Sequence, residues 1–142
     1  MVIVAIGDIL ASKADCIAIP VNLKGVMGAG LAKAFALAHP ECVGEYRSAI
    51  ARGRLAIGRP CIVGGRFMMV ATKDHFRNPS RMEYVTASLE SIARDFPLLE
   101  SIALPALGCG CGGLRWEDVR AEVESVLGSS PLKVELYPPR PC

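Results

Sequence analysis

A glycine-rich stretch, PALGCGCGGLRW, occupies Pro105–Trp116. Four of its twelve residues are glycine, and none is aspartate, glutamate or serine. Such a segment offers backbone N–H groups and close approach to a ligand in place of side-chain chemistry. We therefore expect this loop to bind an anion, phosphate above all.

A second glycine-rich stretch, NLKGVMGAGLAKAF at Asn22–Phe35, lies between a predicted strand and a predicted helix. It is not a P-loop, because Leu31 and Ala32 follow Gly30 where that motif requires Lys and Ser or Thr. The segment Gly108–Gly113 matches G-x-G-x-x-G, but too few elements follow it for a second mononucleotide-binding half. The glycines either permit tight turns or hold a diphosphate between two facing loops, and two such loops in one small chain favour the ligand.

Hydrophobic periodicity predicts about six strands and four helices that largely alternate along the chain. Strands are predicted at 2–6, at 16–21, on both sides of Gly64-Gly65 within 61–73, at 101–105 and at 132–137. Helices are predicted at 31–38, at 41–51, from Pro79-Ser80 to 96, and at 116–127. This order predicts one α/β domain over 1–142, a three-layer α/β/α fold with a mixed sheet, in which both glycine loops leave interior strands.

The composition limits the class of protein. Hydrophobic residues make up 51% of the chain and charged residues 21%, which excludes a disordered chain. No apolar run approaches the roughly 20 residues of a membrane span, and MVIVAIGDIL at the N-terminus lacks a basic n-region, so we expect a cytoplasmic protein without a membrane partner. The C-x-C spacing of Cys109 and Cys111, without a second Cys or His pair nearby, predicts neither a metal nor a cofactor.

The positive charge is unevenly distributed. Eight basic residues and a single acid, Asp74, lie between Arg47 and Arg81, whereas the remainder of the chain is net negative. Such a segment either faces a phosphate-rich partner or is a solvated helix end and loop, and the sequence alone leaves both open.

Four segments together identify the chain as a member of the macrodomain family, the ADP-ribose-binding fold, over nearly its whole length. They are GDI at 7–9, VN and GVMGAGLA within 21–32, ALPALGCGCGGL at 103–114 and VELY at 134–137. The segment ATKDHFRNPSRMEYV at 71–85 resembles the DNA ADP-ribosyl glycohydrolase antitoxins, the DarG-type macrodomains. Those proteins remove ADP-ribose that a partner toxin places on thymine in single-stranded DNA. The resemblance therefore implies an ADP-ribose glycohydrolase, with single-stranded DNA and a cognate ADP-ribosyltransferase toxin as partners.

The resemblance also implies roles for individual residues. The resemblance implies two catalytic residues: Lys73, directly after the ligand-binding residue Thr72, matches the catalytic lysine, and Asn22 would contact the distal ribose. Asp8 would accept a hydrogen bond from the adenine amino group, with the Ile9 backbone nearby, and Tyr137 would lie against adenine. The other ligand-binding residues belong to the two loops: Val26, Met27, Gly28, Ala29, Gly30, Pro105, Leu107, Gly108, Cys109, Gly110, Cys111, Gly112 and Gly113. Candidate DNA contacts follow Lys73: His75, Phe76, Arg77 and Arg81.

Considered without the resemblance, the same residues have structural explanations. Lys73 is a surface lysine at a strand end, and Asn22 closes a strand into a turn. Asp8 is a turn or N-cap residue, and Tyr137 packs in the core. Phe76 either stacks on a flanking base or is buried. If Lys73 is catalytic, it acts as a charged acid or as an amine that attacks an opened ribose, and we favour the charged form.

One departure from the related sequences bears on the substrate. The macrodomain that acts on acidic side chains carries Asp where this chain has Gly112, whereas the DNA-directed branch also has glycine there. Phe76 replaces the Trp of the HWR segment typical of that branch. DNA is thus the expected substrate. The alternatives are a non-catalytic ADP-ribose-binding module, a hydrolase of ADP-ribose esters, such as O-acetyl-ADP-ribose or ADP-ribosylated Glu and Asp, and a structural or RNA-binding domain that does not bind ADP-ribose.

Overall fold

A computed structural model describes residues 1–140 and contains one six-stranded sheet. Its strands are β1 (Val2–Val4), β2 (Cys16–Val21), β3 (Cys61–Val63), β4 (Phe67–Ala71), β5 (Ser101–Leu104) and β6 (Lys133–Leu136). They lie in the order β1-β6-β5-β2-β4-β3. The strands before the two glycine loops, β2 and β5, are therefore neighbours inside the sheet, as predicted.

The sheet is mixed because one of its connections is a hairpin. Every neighbouring pair is parallel except β3 and β4, which pair antiparallel. Residues 64–66 form the connection, in which Gly64 and Gly65 have φ of 59° and 72°, left-handed values that side chains disfavour. A Cβ on Gly64 would also lie 2.7 Å from Cys42 Sγ, so space and backbone conformation both require glycine.

Four helices cover the two faces of the sheet: α1 (Gly30–Ala38), α2 (Glu41–Ala51), α3 (Met82–Asp95) and α4 (Trp116–Leu127). Alternate side chains of β2 pack against different helix layers, because successive strand side chains point to opposite faces of the sheet. Ile17 and Ile19 join the core with Phe35 of α1 and Tyr46 of α2. Ala18 instead joins the core on the other face, with side chains of α3 and α4. The predicted three-layer α/β/α architecture is confirmed.

Two short 3₁₀ helices, Ile9–Ala11 and Gly110–Gly112, were not expected from the sequence. Three residues are too few to produce a hydrophobic period. The predicted first strand is also shorter than expected, ending at Val4 in place of residue 6. None of the helices within residues 1–140 is long and apolar enough to cross a membrane.

Ser88 gives a test of the α3 packing. Within the described residues, its hydroxyl is the one buried side-chain polar atom without a hydrogen-bond partner. An unsatisfied buried polar group costs about 1–3 kcal/mol. Ser88→Ala should therefore leave the free energy of unfolding unchanged or raise it by about 1 kcal/mol, as measured by urea denaturation. A clear loss of stability would show that the hydroxyl has a partner that the structure lacks.

Candidate functional site

A cleft of about 370 Å³ opens at the carboxyl ends of β2, β4 and β5. Its floor contains Asn22, Thr72 and Pro105, each of which directly follows one of these strands. Because the three strands are parallel neighbours, their carboxyl ends meet at one edge of the sheet. This edge is where open α/β sheets bind ligands.

The first glycine loop is held in shape by Asn22. Its amide nitrogen donates to the carbonyl of Val26 at 2.7 Å, and its amide oxygen accepts the N–H of Lys24 at 2.9 Å. The carbonyl of Asn22 accepts the hydroxyl of buried Tyr46 at 2.6 Å. Asn22 thus organises the loop from inside while it lines the cleft.

Arg47 supports the same loop from α2. Its Nε donates to the carbonyl of Gly25 at 2.9 Å, and Gly25 has a φ of 76°. A Cβ on Gly25 would lie 3.1 Å from Cγ of Arg47. Glycine therefore allows both the turn and the close approach of the arginine stem.

The loop ends at the N-terminus of α1, which borders the cleft. Ala29 occupies the N-cap position and provides no side-chain hydrogen bond, and no acidic residue lies in the first turn. Gly28, Ala29 and Gly30 all line the cleft. The helix N-terminus thus borders the cleft without a side-chain cap, and a helix N-terminus with free N–H groups favours an anion.

The second glycine loop forms the facing wall. Gly108, Gly110 and Gly113 have φ of 76°, 63° and 85°, values that side chains disfavour. The N–H of Leu114 donates to the carbonyl of Gly108 at 2.9 Å and closes the loop. Residues 108–112 all line the cleft, so this wall is mostly bare backbone.

Lys73 follows β4 on the third side of the cleft, where it is half-buried. The N–H of Thr72 donates to the carbonyl of Val21 at 3.1 Å, which extends the β2–β4 pairing. The N–H of Leu23 donates to the carbonyl of Asp74 at 2.9 Å. These two bonds fix Lys73 against the base of the first loop.

The charge in the cleft is entirely positive. Lys73 and Arg140 are the charged residues among the described cleft residues, and no carboxylate lines it. Within residues 1–140, Lys73 forms no ion pair. Arg140 Nη2 donates to the carbonyl of Gly7 at 2.9 Å and lies 3.9 Å from Asp8 Oδ1. An anionic ligand is the charge complement of this surface.

Two neutral side chains of the cleft, the Cys109 thiol and the Tyr137 hydroxyl, have raised pKa values. Burial, with a smaller contribution from Glu117, raises the pKa of the Cys109 thiol, so it is not an activated nucleophile. Burial likewise raises the pKa of the Tyr137 hydroxyl, which donates to Glu135 at 3.2 Å. Cys111 is disulfide-bonded, and within the described residues no group of three His, Cys, Asp or Glu could hold a metal ion.

Most of the predicted site residues line this cleft. They are Ile9, Asn22, Val26, Gly28, Ala29, Gly30, Thr72, Lys73, Phe76, Pro105, Gly108, Cys109, Gly110, Cys111, Gly112 and Tyr137. The fold therefore brings together residues from five separate segments of the chain.

The remaining predicted ligand residues lie beside the cleft. Asp8 is exposed and accepts the N–H of Leu10 at 3.0 Å, as N-cap of the first 3₁₀ helix. Met27 packs partly buried against the core under α1, and Leu107 is fully buried in the opposite core. Gly113 is the left-handed C-cap of the second 3₁₀ helix. In this structure these four residues shape the walls of the cleft.

The four candidate DNA-contact residues follow Lys73 in the chain and differ in their surroundings. Phe76 lines the cleft and is 39% exposed. Its ring stacks on His75 with centroids 4.3 Å apart, and the Arg77 guanidinium lies 5.6 Å from its centroid. Arg81 instead pairs with exposed Glu83 at 3.0 Å. An aromatic ring beside a cation is thus presented to solvent next to Lys73.

Several cleft residues were missed by the sequence reasoning. Most adjoin predicted ones and could have been found from strand ends and helix starts: Gly7, Pro20, Val21, Leu31, Ala32, Ala106, Pro138, Pro139 and Arg140. Ser80 is the exception, because no motif or period distinguishes it from a surface serine. Only tertiary packing places it in the cleft.

A family model and a curated relative both match most of this chain. The family model described as Macro domain matches residues 19–123. A DNA ADP-ribosyl glycohydrolase of Mycobacterium tuberculosis is 36% identical over 143 residues, covering 94% of this chain and 41% of the relative. The chain thus spans less than half the length of this curated relative.

Solved structures extend the likeness to three dimensions. The macrodomain of Mycobacterium tuberculosis DarG superposes with a TM-score of 0.91 at 33% identity, covering 99% of both chains. Thermosipho africanus DarTG in complex with ADP-ribose superposes with a TM-score of 0.87 at 28% identity, covering 94% of this chain and 40% of that one.

The Tyr46–Asn22 bond can be tested by mutation. Tyr46→Phe should lower the free energy of unfolding by about 1–3 kcal/mol, because a buried carbonyl loses its donor. Tyr84→Phe, on a half-buried tyrosine of α3, is the matched control and should have little effect.

The burial of the Tyr46 hydroxyl also has a pH signature. Burial raises the pKa of Tyr46 from 10.0 to about 12, so its stabilising contribution is complete below pH 10 and is lost as the pH rises towards 12. Urea denaturation across this interval should show a Tyr46-dependent loss in the wild type that Tyr46→Phe lacks. If the free energy of unfolding depended on pH in the same way in both proteins, the raised pKa could not belong to Tyr46.

Proposed function

The chain belongs to the Macro domain family, and from this premise we propose that it is a hydrolase that removes ADP-ribose from modified macromolecules, foremost from ADP-ribosylated thymine in single-stranded DNA. One observation carries the proposal: two backbone-lined glycine loops face each other across a cleft whose charged side chains are cations. Such a cleft complements a diphosphate with a nucleoside at one end and a ribose at the other.

The proposed ligand position follows the geometry of the cleft. The diphosphate lies between the α1 N-terminus and the second loop, where free N–H groups are concentrated. Adenine lies near Ile9 and Tyr137, with Asp8 at the rim, and the distal ribose lies near Asn22 and Lys73. The first N–H of the Asn22 amide bonds to Val26, and the second remains for a ribose hydroxyl. The likeness to Thermosipho africanus DarTG in complex with ADP-ribose supports this ligand.

Lys73 is the proposed catalytic residue. Hydrolysis breaks the bond between the anomeric carbon of the distal ribose and a thymine nitrogen, and water supplies hydroxide to the carbon and a proton to the base. The Lys73 ammonium, free of any ion pair among residues 1–140, can donate that proton and stabilise the charge that develops on the departing base. No carboxylate among the cleft residues within 1–140 neutralises it.

The preference for DNA rests on the mouth of the cleft. Phe76 offers an exposed ring on which a flanking base can stack, a contact worth about 1–3 kcal/mol. Arg77 beside it, with Arg81 further along, offers charge to the phosphate backbone. Gly112 supports the same substrate, because the second loop carries no carboxylate at the position that distinguishes the relative acting on acidic side chains.

The proposal extends to the biological setting. The curated Thermosipho africanus relative is named a DNA ADP-ribosyl transferase-DNA ADP-ribosyl glycohydrolase fusion protein. We accordingly propose a cognate ADP-ribosyltransferase whose modification this domain reverses, with both proteins acting in the cytoplasm and residues 1–142 forming a single macrodomain.

Lys73→Ala should reduce release of ADP-ribose from a thymidine-modified oligonucleotide by about 100-fold or more, the usual cost of a lost proton donor. Mass spectrometry of the oligonucleotide before and after incubation measures this release. Lys33→Ala, on an exposed lysine of α1 that does not line the cleft, is the control and should retain full activity.

Parallel assays separate the alternatives. Binding of ADP-ribose without any release from DNA, glutamate adducts or O-acetyl-ADP-ribose would identify a binding module. Release from the esters alone would move the substrate away from DNA. Hydrolysis unchanged by Lys73→Ala would remove the catalytic assignment.

Arg77→Ala should weaken binding of the modified oligonucleotide and reduce the slope of log affinity against log salt by about 0.7, the value for one phosphate contact to a single strand. Arg94→Ala is the matched control, because Arg94 is exposed and pairs with Asp95 at the far end of α3. Equal salt slopes for the two variants would exclude a phosphate contact at Arg77.

A further inference from the structure

Ser80, a buried polar residue of the cleft, has no part in the function proposed above. It directly precedes Arg81, the N-cap of α3, is 6% exposed and lines the cleft. Serine is seldom buried unless its polar groups find partners. The partners of Ser80 lie in two different walls of the cleft.

Ser80 connects the end of β4 to the second glycine loop. Its hydroxyl donates to Thr72 Oγ1 at 3.3 Å, and its N–H donates to the carbonyl of Gly112 at 2.9 Å. The N–H of Arg81 donates to the carbonyl of Thr72 at 3.1 Å. Because Lys73 follows Thr72 directly, these bonds fix the strand end that bears Lys73 relative to the loop.

The Ser80 side chain also fills the space next to two loop glycines. A Cβ on Gly112 would overlap Ser80 Oγ and lie 2.8 Å from Ser80 Cβ. A Cβ on Gly108 would lie 3.1 Å from the same atom. Gly108 also has a φ of 76°, a value that disfavours a side chain, whereas the φ of Gly112 is not positive. Glycine is therefore required at 112 by the space that Ser80 occupies and not by backbone conformation.

We infer that Ser80 is a positioning and specificity-determining residue: it holds Lys73 against the second loop and keeps position 112 free of any side chain. The inference rests on the proposed function, since it concerns how Lys73 and this loop meet one ligand. A carboxylate at 112 is excluded while Ser80 is present, so the loop neither neutralises Lys73 nor supplies a base. This arrangement suits a leaving group that takes up negative charge.

A double-mutant cycle tests the inference. The variants are Gly112→Ala, Ser80→Gly and the two combined, with Ser88→Ala as a control on another buried serine outside the cleft. ADP-ribose affinity is measured by titration calorimetry at a temperature where circular dichroism shows every variant folded, and the melting temperature is recorded separately.

Gly112→Ala alone should weaken ADP-ribose affinity about tenfold, and adding Ser80→Gly should restore most of it, because substitutions at contacting positions are non-additive. Ser88→Ala should leave the affinity unchanged. Ser80→Ala keeps Cβ and the backbone bond but removes the hydroxyl. It should lower kcat for the modified oligonucleotide about tenfold with a smaller effect on KM, since Lys73 loses a tether.

Any one of three results overturns the inference. Gly112→Ala and the double variant could lose ADP-ribose affinity equally, or the two substitutions could be non-additive in melting temperature but additive in affinity. The third such result is an unchanged kcat in Ser80→Ala. Failure of the proposed function looks different. A wild type that binds ADP-ribose but releases none from DNA removes the hydrolase proposal, while the cycle in affinity still decides the role of Ser80. A wild type that does not bind ADP-ribose removes both.

Discussion

Parallel pairing of β2 with β4 on one side and β5 on the other is the constraint on which the site depends. Strands that run in one direction end at one edge, so the residues after Val21, Ala71 and Leu104 meet although they are far apart in sequence. The core fixes this pairing, since β2 and β4 are buried on both faces of the sheet. The pairing of these buried strands therefore fixes the floor of the cleft and the points at which the two glycine loops begin.

Much of the cleft wall is bare backbone, and glycine is needed in that wall for two reasons. Gly108 and Gly110 adopt left-handed conformations that a side chain would strain. Gly112 is glycine because Ser80 occupies the neighbouring volume. These glycines are thus required for two different reasons, backbone conformation at Gly108 and Gly110 and packing at Gly112. The two kinds of position therefore respond differently to mutation.

Residues assigned to the ligand also hold the loops in shape. Asn22 uses its amide and its carbonyl within the first loop, and Asp8 caps the first 3₁₀ helix. The structural and functional explanations of these residues are therefore compatible. A side chain whose rotamer is fixed by the loop presents its remaining donor at a defined position, at a smaller entropic cost on binding.

The sequence by itself determined the elements and the layers, because hydrophobic periods of two and of 3.6 depend only on local spacing. It also placed the glycine loops after buried strands, and with them most of the cleft residues. It did not determine the 3₁₀ helices, which are shorter than any period, or the position of Met27 and Leu107 in the cores behind the loops. Only the tertiary structure placed Ser80 between Thr72 and Gly112, since a contact between two loops depends on how the sheet brings strand ends together and leaves no local pattern in the chain.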